Sequence, residues 1–213
     1  DENKFLDAIS SWWVNSHGHA HPHIAEKVSE QVKTFEHVIF AGFTHPKAVE
    51  LAERLLGVLP SNQSSVFYSD NGSTAVEVAL KMGIQYWENK GKQKKGIVAF
   101  RGAYHGDTFG AMAVSGRGAF VQPFESMLFD VQFIAPPVPG KEQESLTQLK
   151  GIIEDTSLNV GIFIYEPLVQ GAAGMVMHQP DALAALIDLC KENDVLTIAD
   201  EVMTGFGRTG KFF

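Results

Sequence analysis

The sequence has little that would point to an oxidising compartment, a membrane or a nucleic acid. It contains a single cysteine, Cys190, which cannot form an internal disulfide, so we expect a reducing, cytoplasmic setting. No apolar run approaches the ~20 residues that a membrane-spanning helix needs. With 17 basic against 25 acidic residues the formal net charge is −8, which argues against a nucleic-acid or anionic-membrane partner.

The composition is that of an ordinary globular protein. The chain has 213 residues, of which 45% are hydrophobic and 10% aromatic, enough for one large core or two small ones. It begins without an initiator methionine and ends on two phenylalanines directly after a glycine-rich turn. A natural domain usually ends in a polar tail or a finished element, so we expect a fragment of a longer protein.

From residue 65 onwards, short strand-like runs alternate with helical segments. Strands are predicted at residues 65–68, 97–100, 131–134, 161–165 and 195–199, and helices at 73–89, 108–114, 142–154 and 180–193. Upstream, two amphipathic surface helices begin at Pro22 and Pro46. The alternation predicts an α/β fold with a mainly parallel sheet flanked by helices. Ligands bind such sheets at the carboxyl ends of the strands.

The turn after the first predicted strand has the composition of a phosphate site. It reads Asp70-Asn71-Gly72-Ser73-Thr74 and opens a strong helix. Glycine lets the backbone approach a ligand, the hydroxyls donate hydrogen bonds, and the helix N-terminus offers free N–H groups. A helix N-cap without any ligand is an equally good interpretation of this turn alone.

The turn after the second predicted strand combines an aromatic ring, an imidazole and a carboxylate. Residues 101–108 include Tyr104, His105 and Asp107 between glycines. The Tyr104 ring is suited to stacking on a flat ligand. The alternative is that Asp107 and Thr108 cap the next helix while Tyr104 is half-buried.

Carboxylates follow two apolar strands that we expect to be central in the sheet. These are Glu166, after residues 161–165, and Asp200, after residues 195–199. A carboxylate in such a place is costly unless it is paired. One suitable partner is the protonated ring nitrogen of a pyridine-type cofactor. Pairing with an arginine such as Arg208, or with Mg²⁺, is the alternative.

Three further patterns are weaker signals. Residues 205–210 match a dinucleotide-binding glycine pattern and residues 205–211 nearly match a phosphate loop, but Phe212 stands where that loop needs Ser or Thr. Four alternating histidines, at positions 17, 19, 21 and 23, fix no common metal centre, so we predict no metal site. Adjacent Trp12 and Trp13, in a strand, would face opposite ways, one toward the core and one toward a cleft.

Taken together, the strand-end motifs resemble the class III aminotransferases, which are pyridoxal-phosphate enzymes of fold type I. The matching motifs are Asp70-Asn71-Gly72-Ser73, Tyr104-His105-Gly106-Asp107, Glu166-Pro167, Ile198-Ala199-Asp200-Glu201-Val202 and Thr204-Gly205-Phe206-Gly207-Arg208-Thr209-Gly210. Their order and spacing agree over nearly the whole chain. The resemblance implies the large domain of a fold type I transferase, incomplete in this chain.

The resemblance also implies the residues of a cofactor site for pyridoxal 5'-phosphate. Gly72 and Ser73 would bind the phosphate, and Asp200 would pair with the ring nitrogen. Tyr104 would stack on the pyridine ring and touch substrate, while Val202 would pack on the other face of the ring. All five positions match motif positions of the family.

Further residues are implied in substrate binding and support of the site. Trp12 would line the channel for an apolar substrate chain and Trp13 would support it. Arg208 would help to place a substrate carboxylate or adenosyl group. Asp107 and Glu166 would support the residues that touch the cofactor.

The paired tryptophans narrow the resemblance to one branch of the family. Together with Gln85-Tyr86-Trp87, they are typical of enzymes that transfer an amino group from S-adenosylmethionine to 8-amino-7-oxononanoate in biotin biosynthesis. The close alternative is another ω-amino-acid transaminase, acting on ornithine or 4-aminobutyrate. A non-catalytic nucleotide-binding or interaction module is the alternative from a different class. Nucleotide binding by such a module would depend on Mg²⁺ and would be abolished by replacing Lys211.

The resemblance places the lysine that forms the resting Schiff base beyond Phe213. Lys81 is predicted to lie within a helix and Lys211 ends the glycine-rich turn, so we expect no catalytic lysine in this chain. We expect residues 1–45 to belong to an N-terminal segment and residues 46–213 to a truncated cofactor-binding large domain. Family members are homodimers, and we expect the complete protein to be one as well.

Overall fold

The computed structural model describes residues 3–213 and divides the chain into two compact units. The first unit ends at Val66 and the second is Phe67–Phe213. The domain boundary predicted between residues 45 and 46 stays a prediction. Within the described residues, no helix is both long and apolar enough to cross a membrane.

The first unit contains two regular helices and one unusual turn. The helices are α2, Pro22–Thr34, and α3, Pro46–Leu56, and each begins with the proline that the sequence predicted. The His45 side chain accepts a hydrogen bond from Ala48 N at 3.3 Å and so caps α3. Neither helix has a buried residue, in keeping with the predicted surface helices.

The unusual turn corrects the strand expected at the paired tryptophans. Ser10–Trp13 forms α1, a single left-handed helical turn in which all four residues have positive φ. The two indole rings therefore lie near each other, with centroids 5.8 Å apart and planes inclined at 48°. They do not alternate across a strand.

The second unit is built on a four-stranded parallel sheet, as predicted. The strands are β1 (Gly96–Phe100), β2 (Gln132–Ile134), β3 (Val160–Tyr165) and β6 (Leu196–Ala199), in the order β2-β1-β3-β6. The intervening helices are α4 (Gly72–Asn89), α5 (Phe109–Ala113), α6 (Glu142–Glu154) and α7 (Pro180–Glu192), with 3₁₀ turns at Gln122–Met127 and Thr156–Leu158. The predicted helices and the last four predicted strands are confirmed to within a few residues.

Alternate residues of the two internal strands supply two separate cores. One face of the sheet packs with α6 and α7 and includes Val98, Phe100, Phe163 and Tyr165. The other face packs with α4 and includes Ile97, Ala99, Ile162 and Ile164. Because successive side chains of a strand point to opposite faces, continuous apolar strands such as β3 require cover on both sides.

Three features of the fold differ from prediction. No strand forms at residues 65–68, and Phe67 is 65% exposed. The strand β6 was expected to be central, but it is an edge strand of the described sheet and its residues are only partly covered. A small antiparallel hairpin, β4 (Val169–Gln170) with β5 (Val176–Met177), was not predicted because its strands are only two residues long.

Candidate active site

The N-terminus of α4 has the free amides that a phosphate needs. Asn71 caps the helix by accepting from Thr74 N at 3.0 Å, and the Thr74 hydroxyl accepts from Asn71 N at 3.2 Å. This capping box satisfies the third amide of the helix. The amides of Gly72 and Ser73 make no hydrogen bond within the described residues, so they can donate to an anion.

Gly72 and Ser73 connect this helix start to the loops after two strands, β6 and β1. A Cβ atom on Gly72 would lie 2.9 Å from Cγ2 of Val202, so glycine is needed for the loop after β6 to approach. The hydroxyl of Ser73 accepts a hydrogen bond from Asp107 N at 3.2 Å. Three loops therefore meet at the carboxyl ends of the strands.

Gly106 is required for the contact between α4 and the loop after β1. Its φ is +125°, and a Cβ atom there would lie 2.1 Å from Oγ of Ser73. We expect Gly106→Ala to lower the free energy of unfolding by more than the roughly 1–3 kcal/mol that a strained backbone usually costs, because the contact with Ser73 adds to the strain. The variant should also displace the Ser73 hydroxyl.

The control for this prediction is Gly140→Ala. Gly140 also has positive φ, +81°, but nothing lies within 4 Å of its Cβ position. Urea unfolding of the two variants separates the cost of the backbone angle from the cost of the contact. Equal losses would contradict the importance of the contact with Ser73.

Tyr104 has a partly exposed ring, and hydrogen bonds fix both its hydroxyl group and its backbone N–H. Its hydroxyl donates to Oδ2 of Asp107 at 3.0 Å, and its backbone N–H donates to Oε1 of Glu166, also at 3.0 Å. The side chain is 39% exposed, which leaves a ring face for a planar ligand. Partial burial, and next the hydrogen bond to Asp107, raise the pKa of the Tyr104 hydroxyl, which stays protonated at neutral pH.

One interpretation of the sequence was that Asp107 and Thr108 cap α5, but neither side chain does so. The helix begins after Thr108 without any side-chain cap, and the amides of Gly110 and Ala111 donate to Oε1 of Glu77 instead. The Asp107 carboxylate is therefore used to orient Tyr104. The role of Glu77 was missed because nothing local distinguishes it from other glutamates on a helix.

Glu166 joins the loop after β1 to the loop after β3. One carboxylate oxygen accepts from Tyr104 N and the other from Gly171 N, each at 3.0 Å. Only 6% of the residue is exposed. Burial raises the pKa of Glu166, although both backbone donors oppose this change. The residue does not face a cofactor through a free oxygen; it positions the backbone of Tyr104.

Asp200, after β6, contacts a histidine from the loop after β1, on the far side of β3 in the sheet. Its Oδ2 lies 2.7 Å from Nδ1 of His105, and its Oδ1 accepts from Val202 N at 3.1 Å. The side chains of His105 and Asp200 are 0% and 7% exposed. The sequence suggested Arg208 as the protein partner of Asp200, but in the structure Nε of Arg208 donates to the Met203 carbonyl at 2.7 Å.

His105 contacts the predicted site residue Asp200, but no role was predicted for it from the sequence. Its backbone N–H donates to Oγ of Ser115 at 2.9 Å, and that hydroxyl donates to the Ala111 carbonyl at 2.8 Å. Among the described residues, Nε2 of His105 has no hydrogen-bond partner. The sequence signal for His105 was an imidazole in a glycine-rich turn at a strand end. The residue that it contacts, Asp200, could not be inferred from this signal because it lies 95 residues further along the chain.

The remaining predicted residues, Trp12, Trp13 and Arg208, take no part in the contacts described above. Trp12, which is 66% exposed, and Trp13 belong to the first unit. The segment containing Arg208 forms turns after β6, with Gly207 N donating to the Phe212 carbonyl at 3.3 Å. It does not open a helix, which a dinucleotide or phosphate loop requires. No group of three or more metal-ligating side chains occurs within residues 3–213.

The matched family model identifies the class. A model of the class III aminotransferases matches residues 1–213, and the chain belongs to this family. It is 50% identical over 221 residues to adenosylmethionine-8-amino-7-oxononanoate aminotransferase of Synechococcus elongatus, with 100% of this chain and 52% of the relative covered. The chain spans about half the length of the curated relatives it matches.

Solved structures agree with the sequence comparison. The enzyme of the same name from Methanocaldococcus jannaschii superposes with a TM-score of 0.93 at 38% identity, over 99% of this chain and 48% of that one. An amine transaminase from an uncultivated Pseudomonas species, solved in its PLP-bound form, gives a TM-score of 0.91 at 30% identity, over 98% and 50% of the chains. The predicted fold class, an aminotransferase large domain with a mainly parallel sheet, is confirmed.

Proposed function

We propose that the second unit is the pyridoxal-phosphate site of a transaminase. The observation that carries the proposal is a closed series of contacts at the strand ends. Ser73 contacts Asp107, Asp107 contacts Tyr104, His105 contacts Asp200, and the loop after Asp200 returns to Gly72 through Val202. The series links a helix N-terminus with free amides, a partly exposed aromatic ring and a covered carboxylate.

These groups fit the cofactor in type. The free amides of Gly72 and Ser73 would hold the phosphate at the positive end of α4. Asp200 would accept the ring N–H, with His105 and Val202 N fixing its orientation. The exposed surfaces of Tyr104 and Val202 would contact the two ring faces. Bound pyridoxal phosphate would supply the electron sink for carbanion chemistry.

Titration of this chain with pyridoxal phosphate tests the cofactor proposal. The Ser73 hydroxyl accepts from Asp107 N and so keeps its own proton, which would donate to the phosphate beside the two amides. We expect saturable absorbance changes, and affinity that falls by roughly tenfold in Ser73→Ala, the equivalent of this one hydrogen bond to a charged group. Ser157→Ala is the control, because Ser157 lies on the 3₁₀ turn before β3, at the other end of the strand. Absence of saturable binding would contradict the proposal.

The same titration, followed by borohydride reduction and mass spectrometry, tests the placement of the catalytic lysine. We propose that this lysine lies outside residues 1–213, so we expect no adduct confined to one lysine. A stoichiometric adduct on a single lysine would show that the placement is wrong. The adduct analysis applies once saturable binding has been measured, because a chain that does not bind the cofactor forms no site-specific adduct.

We further propose that the complete enzyme transfers an amino group from S-adenosylmethionine to 8-amino-7-oxononanoate and gives 7,8-diaminononanoate. The support is the name shared by the most similar relatives, at 38–50% identity, and the adjacent Trp12 and Trp13. We propose a cytoplasmic homodimer as well, on the family resemblance. Another ω-amino-acid transaminase is the second candidate, favoured by the likeness to amine transaminase structures.

Replacing Trp12 by Ala distinguishes the two candidates. Loss of an aromatic wall of the substrate channel should raise KM for the oxononanoate by roughly tenfold or more, because burying such a side chain is worth about 1.5–3 kcal/mol. The cofactor absorbance should not change. Phe5→Ala is the control, since Phe5 is an aromatic residue of the same unit that is 89% exposed. Unchanged kinetics in Trp12→Ala would favour the second candidate.

A further inference from the structure

The left-handed turn α1 needs stabilising contacts from residues outside the turn, which we call its hold. Its four residues have φ between 46° and 69°, and none of them is a glycine. In this conformation Cβ approaches the following carbonyl oxygen, so L-residues rarely adopt it in succession. Backbone hydrogen bonds run along the turn from Trp13 N to the Ile9 carbonyl, at 3.0 Å, and from Val14 N to the Ser10 carbonyl. Backbone bonds of this kind also form in right-handed turns, so they do not account for the left-handed conformation.

Asp7 provides the hold from the residues before the turn. Its Oδ1 accepts from Ser11 N at 2.9 Å, and its Oδ2 accepts from Oγ of Ser11 at 2.7 Å. Both donors belong to the second residue of the turn, so Asp7 fixes its backbone and its side chain together. These bonds, with Ser11 N as the largest contributor, lower the pKa of Asp7 to about 2.

His19 adds a second hold from the residues after the turn. Its Nε2 lies 2.8 Å from Oδ2 of Asp7, and its Nδ1 lies 3.3 Å from Nδ2 of Asn15. An amide nitrogen only donates, so Nδ1 of His19 accepts and the proton of the neutral ring is on Nε2, directed at Asp7. Asn15 N also donates to the Ser10 carbonyl at 3.0 Å, which ties the far side of the turn.

We propose that Asp7 and His19 are positioning residues that hold α1 so that Trp12 is presented outward. The inference rests on the proposed function, in which Trp12 lines the substrate channel. The turn keeps the Trp12 ring 5.8 Å from that of Trp13 while leaving it 66% exposed. A relaxed right-handed or extended segment would direct the indole elsewhere, because each residue of α1 would change its backbone angles.

The proximity of the two indoles gives a direct spectroscopic test. Tryptophan rings at this distance and inclination produce an exciton couplet in circular dichroism, and the difference between wild type and Trp12→Phe isolates it from Trp87. We expect the couplet to be lost in Asp7→Ala and in His19→Ala. We expect it to be retained in His19→Gln, which restores an N–H donor of similar reach, and in the control His23→Ala, on α2.

The outcomes separate this inference from the proposed function. A couplet retained in both Asp7→Ala and His19→Ala overturns the positioning role. Loss of the couplet in His23→Ala or His19→Gln also overturns it, because the effect would then not depend on the donor to Asp7. The cofactor titration described above is measured on the same variants. If the wild-type chain does not bind pyridoxal phosphate, the proposed function is wrong. The couplet still tests whether Asp7 and His19 hold α1.

Activity of the complete enzyme gives a second readout. Loss of the hold should raise KM for the oxononanoate in His19→Ala and leave kcat near the wild-type value, since only the placement of Trp12 changes. A general loss of folding would instead lower the amount of active enzyme and leave KM unchanged. A fall in kcat at unchanged KM would therefore overturn the inference.

Discussion

Replacing Asp200 by Asn is expected to lower the transamination rate of the complete enzyme by roughly 10²–10⁴-fold, the range for losing a positioned acid–base group. Asparagine has nearly the same shape, but it carries no negative charge to keep the pyridine nitrogen of the cofactor protonated. The Asp200 side chain is 7% exposed, so little solvent is available to compensate for the lost interaction. The fold should be retained.

The matched control is Asp107→Asn, the same chemical change at another carboxylate of the proposed site. Asp107 accepts from the Tyr104 hydroxyl at 3.0 Å and, in the proposed site, does not touch the cofactor nitrogen. We expect a much smaller loss of kcat in that variant. Steady-state kinetics, with the cofactor content of each sample measured by absorbance, compare the two. Near-normal kcat in Asp200→Asn would refute the assigned role.

His105 and Val202 together satisfy the Asp200 carboxylate in a covered position. The imidazole approaches Oδ2 at 2.7 Å and the amide of Val202 approaches Oδ1, so both oxygens have a partner within the protein. A buried carboxylate without such partners would be costly. The arrangement orients the carboxylate before any ligand binds, which is the form of preorganisation that electrostatic catalysis uses.

The parts of the fold that could be predicted are those with strong local signals. The strand β3 is apolar along its whole length, and α4 follows an Asn-Gly-Ser-Thr start, so both were predicted within one or two residues. The strand-end turns around Tyr104, Glu166 and Asp200 were also identified, because parallel sheets bring such turns together. Local pattern and tertiary position agree at these places.

The parts that could not be predicted depend on the rest of the structure or lack a sequence signal. Residues 65–68 have strand-forming side chains, but the described chain offers them no neighbouring strand. The left-handed turn at Ser10–Trp13 contains no glycine, the residue that would have indicated a left-handed backbone in the sequence. The contact of His105 with Asp200 joins residues far apart in sequence, and only the register of β1, β3 and β6 determines it.

The second large effect is expected at Glu166, where Glu166→Gln should lower the free energy of unfolding by about 1–3 kcal/mol. The carboxylate accepts from two backbone amides, Tyr104 N and Gly171 N. A glutamine offers one carbonyl oxygen, so its NH₂ group must face the other N–H. Because Tyr104 loses an anchor, affinity for pyridoxal phosphate should fall as well. Glu125→Gln, at an exposed position, is the control.

The pH dependence of this variant has a defined sign. Burial raises the pKa of Glu166 above 4.5, the value expected for the unfolded chain. Its contribution to stability is therefore fully present below pH 4.5 and decreases as the pH rises through the folded-state pKa. The deficit of Glu166→Gln, measured by urea unfolding, should be larger at pH 4.5 than at pH 7.5. A deficit that grows with pH would mean that the two amides outweigh burial and that the charged form is the one that the fold favours.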